Sequence, residues 1–237
     1  DIPVLWFMPL WGGAVAAYGL DGSHNAAVGL DASIRPFPRI VGYGQFLLDA
    51  LNNKSPDAFA AEYAWQAGVR VLNVLPAGWA RMQLQFMAEY NYVRPYTYGH
   101  RDVLQAYRHL NQPLAHPAGS GLQEGVAGVQ LRGRDFSLRL RYIDRLSSAD
   151  TAVHWGSSIY MPDGKAALPG GSTPGQGLEA HTQYWSAEMG YLINPNYNFY
   201  IFAGIRARHY KTPRTDTQGK WVFAGIRTAL RNLYYDF

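Results

Sequence analysis

Two pairs of arginines are the residues of this sequence best suited to binding chemistry. Arg139 and Arg141 lie in one alternating stretch of polar and apolar residues, and Arg206 and Arg208 lie in another. A spacing of two places both members of a pair on one face of a strand. Guanidinium groups bind carboxylates, phosphates and sulfates through paired hydrogen bonds, so an acidic glycan or another anion is a candidate ligand. The alternative is a structural role in salt bridges with three carboxylates of the polar faces: Glu188, Glu89 and Asp49.

Histidines are concentrated in a long connection between residues 94 and 123. His100, His109 and His116 with Asp102 make a metal site conceivable, but their spacing matches no compact ligand motif. We therefore expect neither a metal nor another cofactor. The prolines and tyrosines of this segment favour a loop that folds over or into the sheet as a plug. The residues expected to form the plug are Arg94, Tyr96, His109, Gln112 and His116.

Hydrolytic chemistry has only weak support in this sequence. Three histidines lie near predicted loop ends, with Ser148, Ser157 and Glu179 in the vicinity: His154, His181 and His209. No G-x-S-x-G motif or comparable nucleophile turn occurs, and closeness in a loop-rich sequence is common. We expect the protein not to be an enzyme.

The elements that position these residues are strands. From residue 25 onward, apolar and polar residues alternate with a period of two, which is typical of strands with one apolar face. A tenth strand is expected within residues 2–20, where Pro9 and the Gly12–Gly13 pair disfavour a membrane helix. The nine predicted strands are 28–35, 40–51, 65–75, 81–93, 126–132, 136–146, 182–193, 198–210 and 221–237.

The lengths of the connections predict how these strands are arranged. Short connections near residues 37, 78, 134 and 195 alternate with longer ones near 58, 109, 164 and 216. The long connection within residues 148–179 is rich in glycine, serine and proline and is predicted to be mobile. Short periplasmic turns and long outer loops are typical of outer-membrane barrels. The sequence thus predicts one domain, 1–237, that forms a transmembrane antiparallel up-and-down β-barrel with its C-terminus on the periplasmic side. A soluble β-sandwich is the alternative architecture.

Composition agrees with this class of protein. Charged residues make up 16% of the 237 residues and aromatic residues 14%, which suits a lipid-facing wall with aromatic belts. The net charge is +4, but the basic residues form no dense run, so we expect no nucleic-acid partner. Without cysteine, the chain has neither disulfides nor thiolate metal sites.

The C-terminal stretch WVFAGIRTALRNLYYDF ends in an aromatic residue, as outer-membrane strands do. Phe237, Tyr235 and Leu233 share one face of a strand. Further back, the apolar residues lie in the other register, at Ile226, Thr228 and Leu230. A bulge near Arg231–Asn232, or a terminus that dips into the periplasmic interface, accounts for the change of face.

Several segments resemble one family of outer-membrane proteins. EYNYVRPYTY and YRHLNQPLAHP, together with YGQFLLDAL and the terminal GIRTALRNLYYDF, are similar to Wzi-like capsule-assembly proteins, especially the RemB-like gliding-motility relatives of Bacteroidetes. The similarity runs from about residue 25 to the end of the chain. Because the family's members are longer, the chain resembles their C-terminal portion, which implies either part of a larger barrel or a shortened relative. It further implies a non-enzymatic surface protein of the Gram-negative outer membrane that attaches capsule or exopolysaccharide, or takes part in gliding. The implied partners are membrane lipid, acidic surface polysaccharide and other outer-membrane or motility proteins; a porin-like channel for small polar or anionic solutes is the alternative.

Overall fold

The fold is a single antiparallel sheet whose strands follow one another in chain order. The computed structural model describes residues 27–49, 62–75, 82–99, 106–110, 112–149, 155–161 and 173–228. The nine strands of the sheet are β1 (Val28–Phe37), β2 (Ile40–Leu48), β3 (Tyr63–Val71), β4 (Gln83–Val93), β7 (Leu122–Arg132), β8 (Phe136–Ser148), β9 (Glu179–Asn194), β10 (Phe199–Lys211) and β11 (Asp216–Arg227). A separate two-stranded ribbon, β5 (Arg108–His109) with β6 (Gln112–Pro113), lies between β4 and β7.

The prediction of an all-β antiparallel fold is confirmed, as is the order of nine strands after residue 25. Over the described ranges the sheet is not closed, and β1 and β11 are its two edges. Closure into a barrel therefore stays a prediction. The tenth strand expected within residues 2–20 and the terminal residues 229–237, with Phe237, lie outside the described residues.

Strand register divides the sheet into an apolar face and a polar face. Directly opposed residues of antiparallel strands project from the same face, so the pairing fixes the members of each face. The apolar face contains Leu30, Phe46, Val69, Phe86, Val129, Leu140, Ala187, Ile205 and Val222. The polar face contains Gln45, Arg70, Glu89, Gln130, Arg139, Glu188 and Arg206.

Aromatic rings lie towards both ends of the apolar face. On the side where β3 begins and β4 ends, Trp65 lies 5.3 Å from Tyr90 between ring centroids, and Tyr142 lies 4.0 Å from Trp185 on β8 and β9. At the opposite end Phe136 opposes Tyr191. Aliphatic side chains between these levels are widely exposed, with Leu30 at 72% and Val222 at 85%. Exposed apolar surface on this scale marks an interaction with a partner or a membrane.

The buried core lies on the other side of the sheet, at one end of the polar face. Ala64, Val93 and Leu122 on neighbouring strands β3, β4 and β7 pack with Tyr98 and Ile159 from two connections. Leu122 is 0% exposed and Ile159 is 1% exposed. The side of the sheet that alternation marks as polar thus carries the tightest packing of the described residues.

The connections differ from the prediction at one point. The connection predicted to be long near residue 216 is a four-residue turn, Thr212–Thr215, in which the Thr212 hydroxyl oxygen accepts the Thr215 N–H at 2.9 Å. The prediction was wrong because the sequence of Asp216–Lys220 is mostly polar, which favours a loop. In the structure these residues pair with Ala207–Lys211 as the first part of β11. Polar residues at strand ends are also the reason that two stretches were missing from the predicted strands. These are Leu122–Gly125 of β7 and the start of β9 at Glu179. The reversal predicted at residues 76–80 lies outside the described residues.

Candidate functional site

The described parts of residues 94–121 (94–99, 106–110 and 112–121), which we call the covering loop, fold back over one end of the polar face. The base of the loop is closed by two backbone hydrogen bonds, from Arg94 N–H to the Tyr63 carbonyl at 3.0 Å and from Gly121 N–H to the Arg94 carbonyl at 3.2 Å. Further in, Tyr98 N–H donates to Asp49 Oδ2 at 2.6 Å. These contacts attach the loop to both β3 and the end of β2.

A second segment, residues 155–161, holds the covering loop from its other side. The Gly156 carbonyl accepts the Tyr96 N–H at 2.9 Å and the Ser120 hydroxyl at 2.7 Å. Gly156 has φ +81°, and a Cβ at this position would lie 2.7 Å from Tyr96 N, so only glycine fits without strain. The connection predicted to be mobile, within residues 148–179, is thus tightly packed in its described part.

Glu124 of β7 is the centre of a buried network beneath the covering loop. Its carboxylate accepts hydrogen bonds from Arg145 Nε at 2.7 Å, His116 Nε2 at 3.1 Å and Asn91 Nδ2 at 3.3 Å. The His116 Nδ1 accepts the Ala118 N–H at 3.2 Å, which requires that Nδ1 carry no proton. The imidazole is therefore the neutral tautomer that donates through Nε2, and it joins the loop to the sheet.

The network continues across the polar face through Glu89 of β4. Asn91 Nδ2 donates to Glu89 Oε1 at 3.1 Å, and the Tyr43 hydroxyl donates to Glu89 Oε2 at 2.6 Å. The Arg70 guanidinium stacks over the Tyr43 ring at 5.1 Å. Side chains of β2, β3, β4, β7 and β8 are joined in this way, so the polar face is held by side chains as well as by backbone bonds.

Tyr98 lies in the core between the covering loop and the sheet. Burial raises the pKa of its phenol far above the ordinary value, and the nearby charge of Asp49 and the phenol of Tyr107 raise this pKa further. The ring is 5% exposed and stacks on Tyr107 with 6.0 Å between centroids. Tyr98 is consequently neutral wherever the loop is packed on the sheet.

A cavity of about 610 Å³ separates the covering loop from the polar face. Polar side chains of the sheet form its floor, and Tyr107 and Leu114, both exposed, lie at its edge. Its size is within the range of small-molecule sites. The polar residues that line it are Gln45, Gln66, Glu89, Asn91, His116, Glu124, Arg141 and Arg145.

The four arginines named from sequence all lie on the polar face, but only one has a carboxylate partner among the described residues. Arg139 lies 3.7 Å from Glu188, which is also 3.4 Å from Arg227. Arg206 stacks on Phe223 at 4.4 Å, and Arg208 on Tyr210 at 5.4 Å. The register places Arg141 and Arg206 on either side of Ser186, in one row across β8, β9 and β10.

The two other predicted partners of these arginines bind elsewhere. Asp49 accepts a hydrogen bond from the covering loop, and Glu89 binds Tyr43 and Asn91. The predicted salt bridges with Asp49 and Glu89 are therefore absent from the described residues, whereas that with Glu188 is present. Arg141 and Arg206, with Arg208 two residues further along β10 on the same face, are together called the arginine row, and no described carboxylate neutralises their guanidinium groups.

The residues expected to form a plug divide into two groups. His116 lies against the polar face, and the Arg94 guanidinium lies 5.4 Å above the ring of Tyr63 on the apolar face. Tyr96 instead bonds to Gly156 of the 155–161 segment. His109 and Gln112 instead pair with each other in the β5–β6 ribbon and are exposed. The covering loop thus has an inner part on the polar face and an outer part directed away from it.

The histidines considered for catalysis or metal binding are not assembled into a site by the described part of the chain. His181 Nε2 lies 2.8 Å from Glu179, and His209 Nε2 lies 2.8 Å from Asp216, both exposed and neither bonded to a serine. No three histidine or acidic side chains of the described residues are grouped as metal ligands. His100, Asp102 and His154 lie outside the described residues.

Sequence reasoning missed the centre of the buried network. Glu124, Arg145 and Asn91 fall on adjacent strands in one register row, which alternation alone does not reveal. A signal did exist, because extending the strand that contains Val126 back by two residues places Glu124 on the polar face.

Comparison of the chain with family models, with curated proteins and with solved structures gave no match. The described residues contain no helix that is long and apolar enough to span a membrane.

Proposed function

We propose that this chain forms the wall of a transmembrane antiparallel β-barrel in the outer membrane of a Gram-negative bacterium, and that it is a non-enzymatic surface protein. The observation that supports this best is the two-faced sheet. Its apolar face is exposed and bordered by aromatic rings, while buried polar groups and the packed loop lie on the opposite side. Lipid satisfies the first face, and a water-containing lumen satisfies the second.

Strand direction adds a condition on closure. Nine successive antiparallel strands leave β1 and β11 running in the same direction. Direct pairing of these edges would be parallel, whereas antiparallel closure requires an odd number of further strands. The barrel we propose therefore has at least ten strands, in accord with a larger barrel, one of the two forms that the family resemblance implies.

The covering loop favours a surface role over free diffusion through the lumen. It is attached to the sheet through Arg94, Tyr98 and His116, so it narrows the lumen at the end with long connections. That end faces outward when the C-terminus is periplasmic. We infer that the protein attaches capsule or exopolysaccharide or serves gliding adhesion, with Arg141, Arg206 and Arg208 available to acidic surface polysaccharide.

The two faces of β9 provide a direct test, because the chain contains no cysteine that would interfere. Ala187 lies on the apolar face and its neighbour Ser186 on the polar face. In bacterial outer membranes, Ala187→Cys should react poorly with a water-soluble maleimide and well with a lipid-soluble one. Ser186→Cys, at the same depth, should show the opposite preference.

The same pair of variants identifies the result that contradicts the proposal. A soluble sandwich buries its apolar faces against each other and exposes its polar faces to bulk water. The lipid-facing wall is ruled out if Ser186→Cys reacts and the protein is recovered in the soluble fraction. It is also ruled out if the water-soluble maleimide labels Ala187→Cys rapidly in membranes.

A porin-like channel for small polar or anionic solutes is the second candidate, and the arginine row is the observation that favours it. The guanidinium groups of Arg141, Arg206 and Arg208 have no carboxylate partner among the described residues, and such groups attract anions. In planar bilayers a channel gives steady, anion-selective conductance. A covered lumen gives none, and this is the result we expect of the intact protein.

A further inference from the structure

The cavity beneath the covering loop has a lining that combines balanced charge with apolar surface. Two carboxylates, Glu89 and Glu124, are matched by two guanidinium groups, Arg141 and Arg145, and the tautomer of His116 is neutral. A balanced lining gives no net attraction to a cation or to an anion such as sulfate. The occupant that fits this lining is uncharged.

Two side-chain amides in the cavity have hydrogen-bonding capacity to spare. Gln45 and Gln66 oppose each other on β2 and β3, one row from the core, and neither amide is hydrogen-bonded to a described residue. An amide supplies both a donor and an acceptor, which matches a hydroxyl group in either role. Next to them in the neighbouring strand, Glu89 and Asn91 also line the cavity, with Asn91 Nδ2 already donating to Glu89 and Glu124.

Apolar surface faces these polar groups across the cavity. Tyr98 and Tyr107 form a stacked pair in the covering loop, and Leu114 completes the apolar side. The Tyr107 ring is 37% exposed, so it is accessible at the mouth. The ligand therefore needs hydroxyl groups on one side and a C–H surface on the other. A purely apolar ligand would leave the amides unpaired.

We propose that this cavity binds a neutral saccharide unit, with its hydroxyl groups on Gln45 and Gln66 and a C–H face on Tyr107. A pyranose ring has hydroxyl groups at its edge and a C–H face, and the cavity volume of about 610 Å³ accommodates a mono- or disaccharide. The site shares Arg141 with the arginine row to which acidic polysaccharide was assigned, but its hydroxyl-binding amides lie apart from that row, on β2 and β3. It requires only the covering loop and the polar face, so it does not depend on the protein's location in a membrane.

The test uses the full chain in a zwitterionic detergent that lacks a sugar headgroup. Glucose, galactose and N-acetylglucosamine are the neutral probes, measured by saturation-transfer NMR and by calorimetry, with glucuronate and inorganic sulfate as charged probes. We expect saturable binding of at least one neutral sugar with a Kd of about 1 mM or below. The charged probes should bind more weakly or not at all.

Three variants locate the site. Gln66→Leu removes one amide at nearly constant size and should raise Kd about tenfold or more. Tyr107→Ala removes the exposed ring that stacks on Tyr98 and should weaken binding. Gln130→Leu is the matched control, because it replaces glutamine by leucine on the same face but outside the cavity. It should leave Kd within about twofold of wild type.

Three results overturn the assignment. The first is that no neutral probe binds saturably. The second is that sulfate or glucuronate binds more tightly than the sugars, and the third is that Gln66→Leu binds sugar as wild type does. Each is separable from failure of the membrane proposal, because cysteine labelling of β9 reports on lipid contact and not on the cavity.

Discussion

Glu124→Gln is the substitution that tests most directly whether the covering loop is held by the buried network. The variant keeps the size of the side chain but removes the charge that accepts hydrogen bonds from Arg145 and His116. The Glu124 side chain is only 6% exposed, so water does not replace these partners while the loop stays closed. Loss of the network should therefore show first as opening of the loop.

The magnitude follows from the contacts of His116. A hydrogen bond to a charged group contributes about 1.5–3 kcal/mol, and the glutamine carbonyl keeps part of it, so about 1.5 kcal/mol is expected at the loop. This corresponds to roughly a tenfold increase in the population of open loop. The weakened hydrogen bond to Arg145, whose side chain is 26% exposed, lowers the stability of the sheet and not that of the closed loop.

Native-state hydrogen exchange measures this change at two amides of the covering loop. Tyr98 N–H donates to Asp49, and Ser120 N–H donates to the Ser157 carbonyl outside the loop, so both exchange only when the loop opens. Their protection should fall about tenfold in Glu124→Gln. His116→Leu should have a similar effect, and the double variant should be far less than additive.

Glu188→Gln is the matched control, since it removes a carboxylate that binds two arginines of the same face without touching the loop. It should leave the protection of both loop amides within about twofold of wild type. Equal loss of protection in Glu188→Gln and Glu124→Gln would refute the reasoning, as would unchanged protection in Glu124→Gln.

Two further predictions concern the packing of the covering loop. Tyr98 ionises in the open loop near its ordinary pKa of 10.0 but not in the packed core, so the packed loop should lose stability as the pH rises above about 10 and keep it fully below. Tyr98→Phe should lack this component, seen as a missing late rise when tyrosinate absorbance is titrated; identical late rises in both proteins would argue against it. Gly156→Ala forces a Cβ to within 2.7 Å of Tyr96 N at φ +81° and should destabilise the protein by about 2 kcal/mol or more in thermal unfolding. Gly125→Ala, where no atom lies within 4 Å of the new Cβ, should cost less than about 1 kcal/mol; equal costs at the two glycines would count against the close-approach argument.

Alternation was sufficient to predict the sheet because side-chain period and strand register are linked. The residues of β8 from Phe136 to Tyr142 and those of β10 from Ile201 to Arg208 lie on the predicted faces. The salt bridge between Arg139 and Glu188 follows from the same alternation, since both residues fall on the polar faces of adjacent strands. Local pattern decides these features, and local pattern is what a sequence displays.

The covering loop could be predicted as a folded-in segment but not in its contacts. Tyr98, which packs into the buried core, sits at φ +72° in a turn between Pro95 and Gly99, and no periodic pattern marks it. The sequence pattern does not place Glu124 in a strand, because the residues before Val126 do not alternate in hydrophobicity. Its three partners come from β4, β8 and the loop, and such long-range convergence leaves no trace in a single sequence.

The location of the core explains why the covering loop matters to the sheet as a whole. In a soluble sheet protein the apolar face supplies the burial that offsets chain entropy, but here that face remains exposed from Leu30 to Val222. The described burial is found instead where Leu122 and Val93 meet Tyr98 and Ile159, beneath the loop. If lipid covers the apolar face, as we propose, transfer into the bilayer stabilises the strands in the membrane. It does not favour one arrangement of the side chains and loop inside the lumen over another. The specific structure of the lumen then depends on the loop, its core and the Glu124 network, so substitutions that open the loop should change the lumen before they unfold the wall.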